Sequence, residues 1–180
     1  PELDAMLMRT LQKLHKNERN GKRAPRRLVD STTVLHELRL RKDEAALSTM
    51  RRAAAITIEA HEITMRAARV GKTESELTAL VEYVFAKHEG APGYDVIIGA
   101  GNNACVLHYT GGSARIAPDE LLLVDAGCEW RGFTADVTRT YPVGTAAGGR
   151  GRYTAAERRL YDVVLESQLA AIAMTRPGAT

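Results

Sequence analysis

Residues 121–143 read LLLVDAGCEWRGFTADVTRTYPV, the clearest secondary-structure pattern in the chain. Apolar and polar residues alternate on both sides of a central Glu-Trp-Arg-Gly segment, which is the pattern of a β-hairpin. If the turn is centred between Trp130 and Arg131, regular pairing places Asp125 directly opposite Asp136. One face of the hairpin then carries both aspartates, and the other face is apolar. The stretch therefore predicts two antiparallel strands with one core face and one acidic face.

Two opposed carboxylates on neighbouring strands need a reason, because like charges in this position destabilise a hairpin. Their Cβ atoms would be only ~4.5–5.5 Å apart. A proton shared by the two groups, or a bound divalent cation, would offset the repulsion. Alternatively, both side chains face open water, or a bulge at Gly132 changes the register. Small neighbours favour a ligand site because they leave room for a ligand, namely Ala126, Gly127, Thr134 and Ala135.

One histidine is a further candidate for this site. His108 lies at the end of a predicted strand, Ala104–Tyr109, where it is either a buried, hydrogen-bonded residue or a neighbour of the aspartates. The sequence shows no other familiar catalytic motif. His61 and Glu62 begin a zinc-protease motif, but Met65 stands where that motif requires its second histidine. There is also no Gly-x-Ser-x-Gly nucleophile elbow.

The rest of the chain combines helices and strands. Apolar spacing and capping residues predict helices near 3–20, 43–69, 73–90 and 154–174, and an extended segment at 33–40. Alternation and turn residues predict strands at 94–99, 104–109, 121–128 and 133–143. On the second of these helices the predicted buried stripe consists of Leu47, Met50, Ala54, Ile58, His61 and Met65.

The charge of the chain is unevenly distributed. The formal net charge of the 180 residues is +3, but residues 1–52 hold 13 Lys and Arg against 7 Asp and Glu. This basic end is either a solvated helix face beside a linker or a nucleic-acid patch, and the lack of interleaved aromatic rings favours the first. No apolar run approaches the ~18 residues of a membrane span, and no secretory signal is present. Cys105 and Cys128 show no CxxC spacing, which indicates a reducing, cytoplasmic setting.

Four stretches resemble aminopeptidase P, the Xaa-Pro aminopeptidase family of the pita-bread metallopeptidases. They are HELRLRKDEAALSTMRRAA, GYDVIIGAGNNACVLHYT, the hairpin stretch and YDVVLESQLAAIAMTRPGAT. The resemblance implies an α+β fold with helices packed on a mainly antiparallel sheet. Residues 33–180 would form the first half of a pita-bread (creatinase/aminopeptidase-like) catalytic domain, and residues 1–32 would end a preceding domain and its linker.

The same resemblance implies a site with two divalent metal ions, for which manganese is the expected metal. Asp125 matches one metal ligand of the family, and Asp136 matches the ligand that bridges both ions. His108 matches a catalytic histidine that binds substrate and stabilises the transition state, and Tyr94 matches a substrate-binding position. The expected reaction is hydrolysis of the bond between an N-terminal residue and proline by a metal-activated water. Peptides with proline second are the expected partners, with no nucleic acid and no membrane, and the full-length protein is expected to be a homo-oligomer.

Three further metal ligands of the family, one histidine and two glutamates, have no counterpart in this sequence. We therefore expect that the chain, which begins with Pro1, is part of a longer protein and does not catalyse by itself. Two alternatives stay open. One is a prolidase, which cleaves only Xaa-Pro dipeptides, and the other is a pita-bread module that binds peptides or proteins without catalysis.

Overall fold

The computed structural model describes residues 2–21, 23–27, 29–145 and 151–179. The chain divides into two compact units, residues 1–42 and 43–180, and each is described by itself. The assignment of residues 1–32 and 33–180 to two different domains stays a prediction. Among the described residues, no helix has the length and apolar character needed to cross a membrane.

The first unit contains two helices, α1 (Glu2–Lys16) and α2 (Thr32–Leu40), and a short 3₁₀ helix at Glu18–Asn20. The first helix is predicted to end near Asn20 and Gly21, but α1 ends earlier, at Lys16. The 3₁₀ helix continues the turn to Asn20, where Gly21 caps it with a left-handed φ of 78°. The prediction of extended chain over 33–40 is wrong. Apolar residues there recur at helical as well as loosely alternating positions, and Asp30 supports the helix start by accepting a hydrogen bond from the Thr32 amide at 2.9 Å.

In residues 43–145 and 151–179, the second unit contains three α-helices, α3 (Glu44–Ala67), α4 (Glu74–Lys87) and α5 (Ala155–Met174). Each begins where its capping residue predicts. The Asp43 side chain accepts a hydrogen bond from the Ala46 amide at the start of α3. Complete capping boxes open α4, at Thr73 with Glu76, and α5, at Thr154 with Glu157.

The predicted buried stripe of α3 is wrong for half of its residues, and Leu47 and Ala54 are only half-buried. His61 is buried, but Met50, Ile58 and Met65 are exposed, and Ile58 is 53% exposed. Small side chains form the buried face instead, together with one isoleucine and one histidine; its members are Ala53, Ile56, Thr57, Ala60, His61 and Thr64. Apolar residues occur on every face of this helix, so the apolar pattern alone does not identify the face that packs against the rest of the unit.

Within the part of the chain that the structure describes, six strands form two three-stranded antiparallel sheets. One sheet has the order β1 (Ala91–Pro92), β4 (Cys128–Trp130) and β5 (Phe133–Thr134). The other has the order β2 (Ile97–Ala100), β3 (Leu121–Ala126) and β6 (Val137–Pro142). The α+β prediction, with helices packed on antiparallel sheet, is therefore confirmed.

The predicted strand at 104–109 is wrong. A 3₁₀ helix occupies Gly101–Cys105, and a turn that contains His108 follows it. Gly101 starts this segment with a φ of 53°, a conformation that favours glycine and interrupts a strand. The alternation of apolar residues in ACVLHYT therefore occurs in a loop, and it does not indicate a strand.

The core of the second unit lies between α3, α4 and the β2-β3-β6 sheet. Leu122, Val124 and Ala126 on β3 are fully buried, as the apolar face of the hairpin predicts. They share one cluster with α4 residues such as Leu77 and Phe85. The opposite face of β3 carries Asp125, so the packing of the core directs this carboxylate away from the helices.

Candidate active site

The hairpin turn consists of Arg131 and Gly132, with φ values of 50° and 84°. Positive φ at both central residues is the geometry of a type I′ turn, which favours glycine in its second position. The turn is therefore centred one peptide bond later than predicted, between Arg131 and Gly132. As a result, Asp125 pairs with Thr138 and not with Asp136, which corrects the predicted register.

The predicted acidic face survives this correction. The true register differs from the predicted one by two residues, and side chains alternate between faces with a period of two. Asp136 therefore stays on the same face as Asp125, but as a diagonal and not a direct neighbour. Diagonal Cβ atoms are about 7–8 Å apart, which still allows the side chains to approach each other.

One hydroxyl group joins the two carboxylates. The Tyr94 hydroxyl lies 2.5 Å from Oδ1 of Asp125 and 3.1 Å from Oδ1 of Asp136, and it is the donor in both contacts. Burial raises the pKa of Tyr94 well above its ordinary value, and the hydrogen bond to Asp125 raises it further. Tyr94 therefore stays protonated and donates to the acidic pair.

Gly127 allows this arrangement. A Cβ atom at Gly127 would lie 1.7 Å from the Ala135 carbonyl oxygen and 2.9 Å from Cε1 of Tyr94. The Gly127 carbonyl also accepts a hydrogen bond from the Gly93 amide at 2.9 Å, next to Tyr94 in the chain. Protein atoms thus fill the space beside Gly127. The prediction that this small residue leaves room for a ligand is wrong at this position.

A cavity of about 470 Å³ opens on this face of the sheet. It is lined by Tyr94, Asp95, Ile97, His108, Thr110, Asp125 and Asp136. The structure therefore brings all four predicted site residues, Tyr94, His108, Asp125 and Asp136, to one cavity. His108 is exposed and has a φ of 52°, which is unusual for a residue other than glycine.

Three lining residues were not predicted from the sequence. Asp95 follows Tyr94 directly, and its proximity to that residue is the only available signal. Ile97 reaches the cavity because β2 pairs it with Asp125, a register that the sequence does not specify. Thr110 comes close through the turn that holds His108, where we had expected a strand.

The donor set of this cavity suits a hard divalent cation. Two carboxylates provide oxygen ligands on one face, and cations such as magnesium, manganese and calcium prefer oxygen. Within the described ranges, no group of three or more His, Cys, Asp or Glu side chains forms a complete metal site. Asp125 and Asp136 could therefore supply part of a metal site.

Comparisons with known proteins agree with this chemistry. The family model described as Metallopeptidase family M24 matches residues 48–180. The Xaa-Pro aminopeptidase of Escherichia coli strain K12 is 38% identical over 178 residues, which is 98% of this chain and 39% of the relative. The mitochondrial intermediate cleaving peptidase 55 of Arabidopsis thaliana is 34% identical over 151 residues, 83% of this chain and 29% of the relative.

A solved structure gives the same result. The zinc-substituted aminopeptidase P of Escherichia coli in complex with product superposes with a TM-score of 0.87 at 38% identity, and the match covers 97% of this chain and 39% of that chain. The chain thus spans about two fifths of the length of these Escherichia coli proteins.

Proposed function

The chain belongs to metallopeptidase family M24, and on this premise we propose that the full-length protein is a Xaa-Pro aminopeptidase. The proposed reaction is hydrolysis of the peptide bond between an N-terminal residue and a following proline. The resemblance to aminopeptidase P and the pita-bread fold that it implies are confirmed by the match to the Escherichia coli enzyme. The binuclear mechanism, the roles of the site residues and the substrate are parts of the proposal.

One observation carries the proposal, namely that Asp125 and Asp136 meet at the hydroxyl of Tyr94 on the open face of the sheet. Two carboxylates held on one face repel each other, and a single hydroxyl donor offsets only part of this repulsion. Divalent cations would offset the rest. A binding module without catalysis has no need of such a pair.

We propose that Asp125 and Asp136 would hold two divalent metal ions together with ligands from outside this chain. Members of a metallopeptidase family use metal, and manganese is our proposal for the ion. When bound, such a pair supplies an activated water and polarises the scissile carbonyl. The Tyr94 hydroxyl would orient both carboxylates, because a protonated donor between two metal ligands fixes the position of each.

His108 and Tyr94 would act on the substrate from the wall of the cavity. His108 is exposed on a turn beside the acidic pair, where its ring can donate a hydrogen bond to a peptide carbonyl as charge develops on it. Proline forms a tertiary amide with a fixed ring, and most peptidases do not accommodate this shape. A dedicated cavity is therefore a plausible requirement of the reaction.

The test uses the full-length protein with manganese. We expect release of the first residue from an Xaa-Pro tripeptide, and we expect Asp136→Asn to abolish it, because this change removes a charge and keeps the shape. Asp119→Asn is the matched control, since Asp119 has a φ of 60°, which asparagine tolerates, and it does not line the cavity. Unchanged turnover in Asp136→Asn would refute the metal assignment.

The same assay separates the alternatives. Cleavage confined to Xaa-Pro dipeptides would replace the proposal with prolidase. Binding of the tripeptide without any cleavage would replace it with a non-catalytic module. A cytoplasmic location and a homo-oligomeric full-length protein are also proposals, and fractionation and light scattering of that protein test them.

A further inference from the structure

We propose that Glu74 is a positioning residue for the reaction, which fixes the turn that carries His108 and acts on the substrate only through that histidine. The proposal rests on the proposed function, because it assigns His108 a part in the reaction. Glu74 itself does not line the cavity. What it could contribute is the place and orientation of the 101–109 segment.

Glu74 is a fully buried carboxylate, with 0% of its surface exposed. Burial of an ionised group is costly unless hydrogen bonds surround it, and here three donors do so. The Ala100 amide and Nδ2 of Asn103 both donate to Oε1 at 2.9 Å. The Tyr109 hydroxyl donates to Oε2 at 3.0 Å. As the first residue of α4, Glu74 also lies at the helix end that favours a negative charge.

The three donors bracket the segment that contains His108. Ala100 ends β2, the strand that pairs with β3 and Asp125. Asn103 lies within the 3₁₀ helix, and Tyr109 directly follows His108. Nδ2 of Asn103 also donates to the Tyr109 hydroxyl at 2.9 Å, which links the two sides of the segment. One carboxylate therefore connects the sheet edge, the 3₁₀ helix and the residue after His108.

Backbone contacts at the start of α4 hold the chain beyond this segment. The Ser75 amide donates to the Gly112 carbonyl at 2.7 Å, and the Glu74 amide donates to the Ala114 carbonyl at 3.0 Å. Loss of the Glu74 side chain would leave these contacts in place. Its effect would therefore be confined to the part of the loop between Ala100 and Tyr109.

His108 needs such support because its φ of 52° is strained for a residue with a Cβ atom. Conformations of this kind persist only where the surroundings fix them. The side chain of His108 is exposed and gives little packing support. The hydrogen bond of the Tyr109 hydroxyl to the buried Glu74 lies one residue away, so it restrains the chain next to His108.

Three variants of the full-length protein separate the parts of this argument. Glu74→Ala removes the carboxylate, and Glu74→Gln restores the shape and can still accept the bonds of Ala100 and Asn103. Tyr109→Phe deletes only the hydroxyl next to His108 and tests the restraint if Glu74→Ala fails to fold. Glu76→Gln is the matched control, because this residue lies on the same turn of α4, and glutamine preserves its capping box.

The first measurement is amide hydrogen exchange across residues 101–109. We expect faster exchange in Glu74→Ala and Tyr109→Phe, partial recovery in Glu74→Gln, and wild-type exchange in Glu76→Gln. Exchange in β3 should not change in any of them, which excludes global unfolding. If exchange in the segment is unchanged in both disrupting variants, the proposal is overturned, whether or not the protein cleaves peptides.

The second measurement is kcat/KM for an Xaa-Pro tripeptide, alone and combined with His108→Ala. We expect Tyr109→Phe to lower it by about 10–100-fold, because misplacement by about 1 Å can have effects of this size. In the His108→Ala background the further change should be less than about twofold, as expected if both act through one group. A full additional loss would overturn the proposal. Failure of the wild-type protein to cleave would instead refute the proposed function, and the exchange result would still decide whether Glu74 holds the turn.

Discussion

A single hydroxyl group, that of Tyr94, contacts both carboxylates of the site. The shorter distance, 2.5 Å to Asp125, indicates that the proton lies mainly toward that residue. Because its raised pKa keeps Tyr94 protonated, its hydroxyl group offsets part of the negative potential of the two carboxylates. Both hydrogen bonds are to Oδ1, which leaves the second oxygen of each carboxylate for a ligand. Its loss should therefore affect both aspartates together.

We expect Tyr94→Phe in the full-length protein to weaken manganese binding by about 10–100-fold, the usual effect of removing a partner of metal ligands. Calorimetric titration of manganese measures this. Tyr83→Phe is the control, since Tyr83 is exposed on α4 and does not line the cavity. Equal affinity in Tyr94→Phe and wild type would show that the hydroxyl does not orient the pair.

His61 links stability to pH. It is only 6% exposed, and Nε2 lies 3.3 Å from the Ala126 carbonyl. Burial lowers its pKa below the ordinary value of 6.5. Between the lowered pKa and 6.5 the unfolded chain binds a proton that the native chain does not, so stability falls as the pH falls below 6.5.

The expected slope from His61 is at most about 1.4 kcal/mol per pH unit. We expect His61→Gln, whose amide can still donate to Ala126, to lose less stability than wild type between about pH 7.5 and about pH 5.5. Urea unfolding of the full-length proteins at both pH values measures the difference. Identical pH dependence in the two proteins would mean that His61 titrates normally.

The sequence offers Asp125, Asp136 and His108 as candidate site residues and the resemblance adds Tyr94, but neither predicts the residues that support them. Alternation places Asp125 and Asp136 on one face whichever of the two registers is correct, so that prediction is robust. Glu74 is different, because in the sequence it is an ordinary acid in a first helical turn, and only the fold shows that it is buried among three donors. Residues that act through contacts distant in sequence leave no local signal.

Among the elements, the hairpin contains two glycines with different structural roles. Gly132 provides a positive φ of 84° in the turn, and a Cβ atom there would meet nothing within 4 Å. Gly127 provides space, since a Cβ atom there would overlap the Ala135 carbonyl. One change therefore strains a turn at the surface, and the other disturbs the strands and the ring of Tyr94.

We expect both Gly132→Ala and Gly127→Ala to lower the melting temperature, but only Gly127→Ala to reduce peptidase activity. A left-handed conformation costs about 1–2 kcal/mol for alanine, and an overpacked position costs about 1–3 kcal/mol. Displacement of Tyr94 should lower kcat/KM by up to about 100-fold. Thermal unfolding and the tripeptide assay on the same preparations measure both effects. Loss of activity in Gly132→Ala as well would show that the turn itself shapes the site.

Elements with strong local signals were predicted well, and those decided by packing were not. The capping boxes at Thr73 and Thr154 predict the starts of α4 and α5 because they satisfy the backbone amides of the helix itself. The buried face of α3 depends instead on how closely the sheet approaches. Thr57 illustrates this, because its hydroxyl accepts the Cys128 amide at 2.9 Å, a contact that no periodicity predicts.

At the scale of the whole molecule, α5 exposes much apolar surface. Its exposed large apolar residues are Leu160, Val163, Val164, Leu169, Ile172 and Met174. Exposed apolar patches of this kind mark surfaces that associate with other protein. The resemblance predicts helices on an antiparallel sheet, but the chain spans about two fifths of its Escherichia coli relatives, so the partner of this face does not follow from the sequence.

We expect the 180-residue chain, produced alone, to self-associate and to cleave no Xaa-Pro tripeptide. Association follows from the apolar face of α5, and inactivity is expected because this chain supplies two of the proposed metal ligands, Asp125 and Asp136. Light scattering over a range of concentrations measures the first, and Leu160→Lys combined with Val164→Lys should reduce it. A constant monomeric mass in the unaltered chain would contradict the expectation, as would tripeptide cleavage.

The turn of the hairpin also limits how its length can vary during evolution. Inserting one residue between Gly127 and Arg131 would shift the pairing of the two hairpin strands by one residue. The side chains of one strand would then change faces, so that one aspartate would point into the apolar core. Inserting two residues would restore the facing of both acids. We expect variants with two residues inserted in this segment to retain function, whether natural or engineered. Single-residue insertions are expected to be selected against.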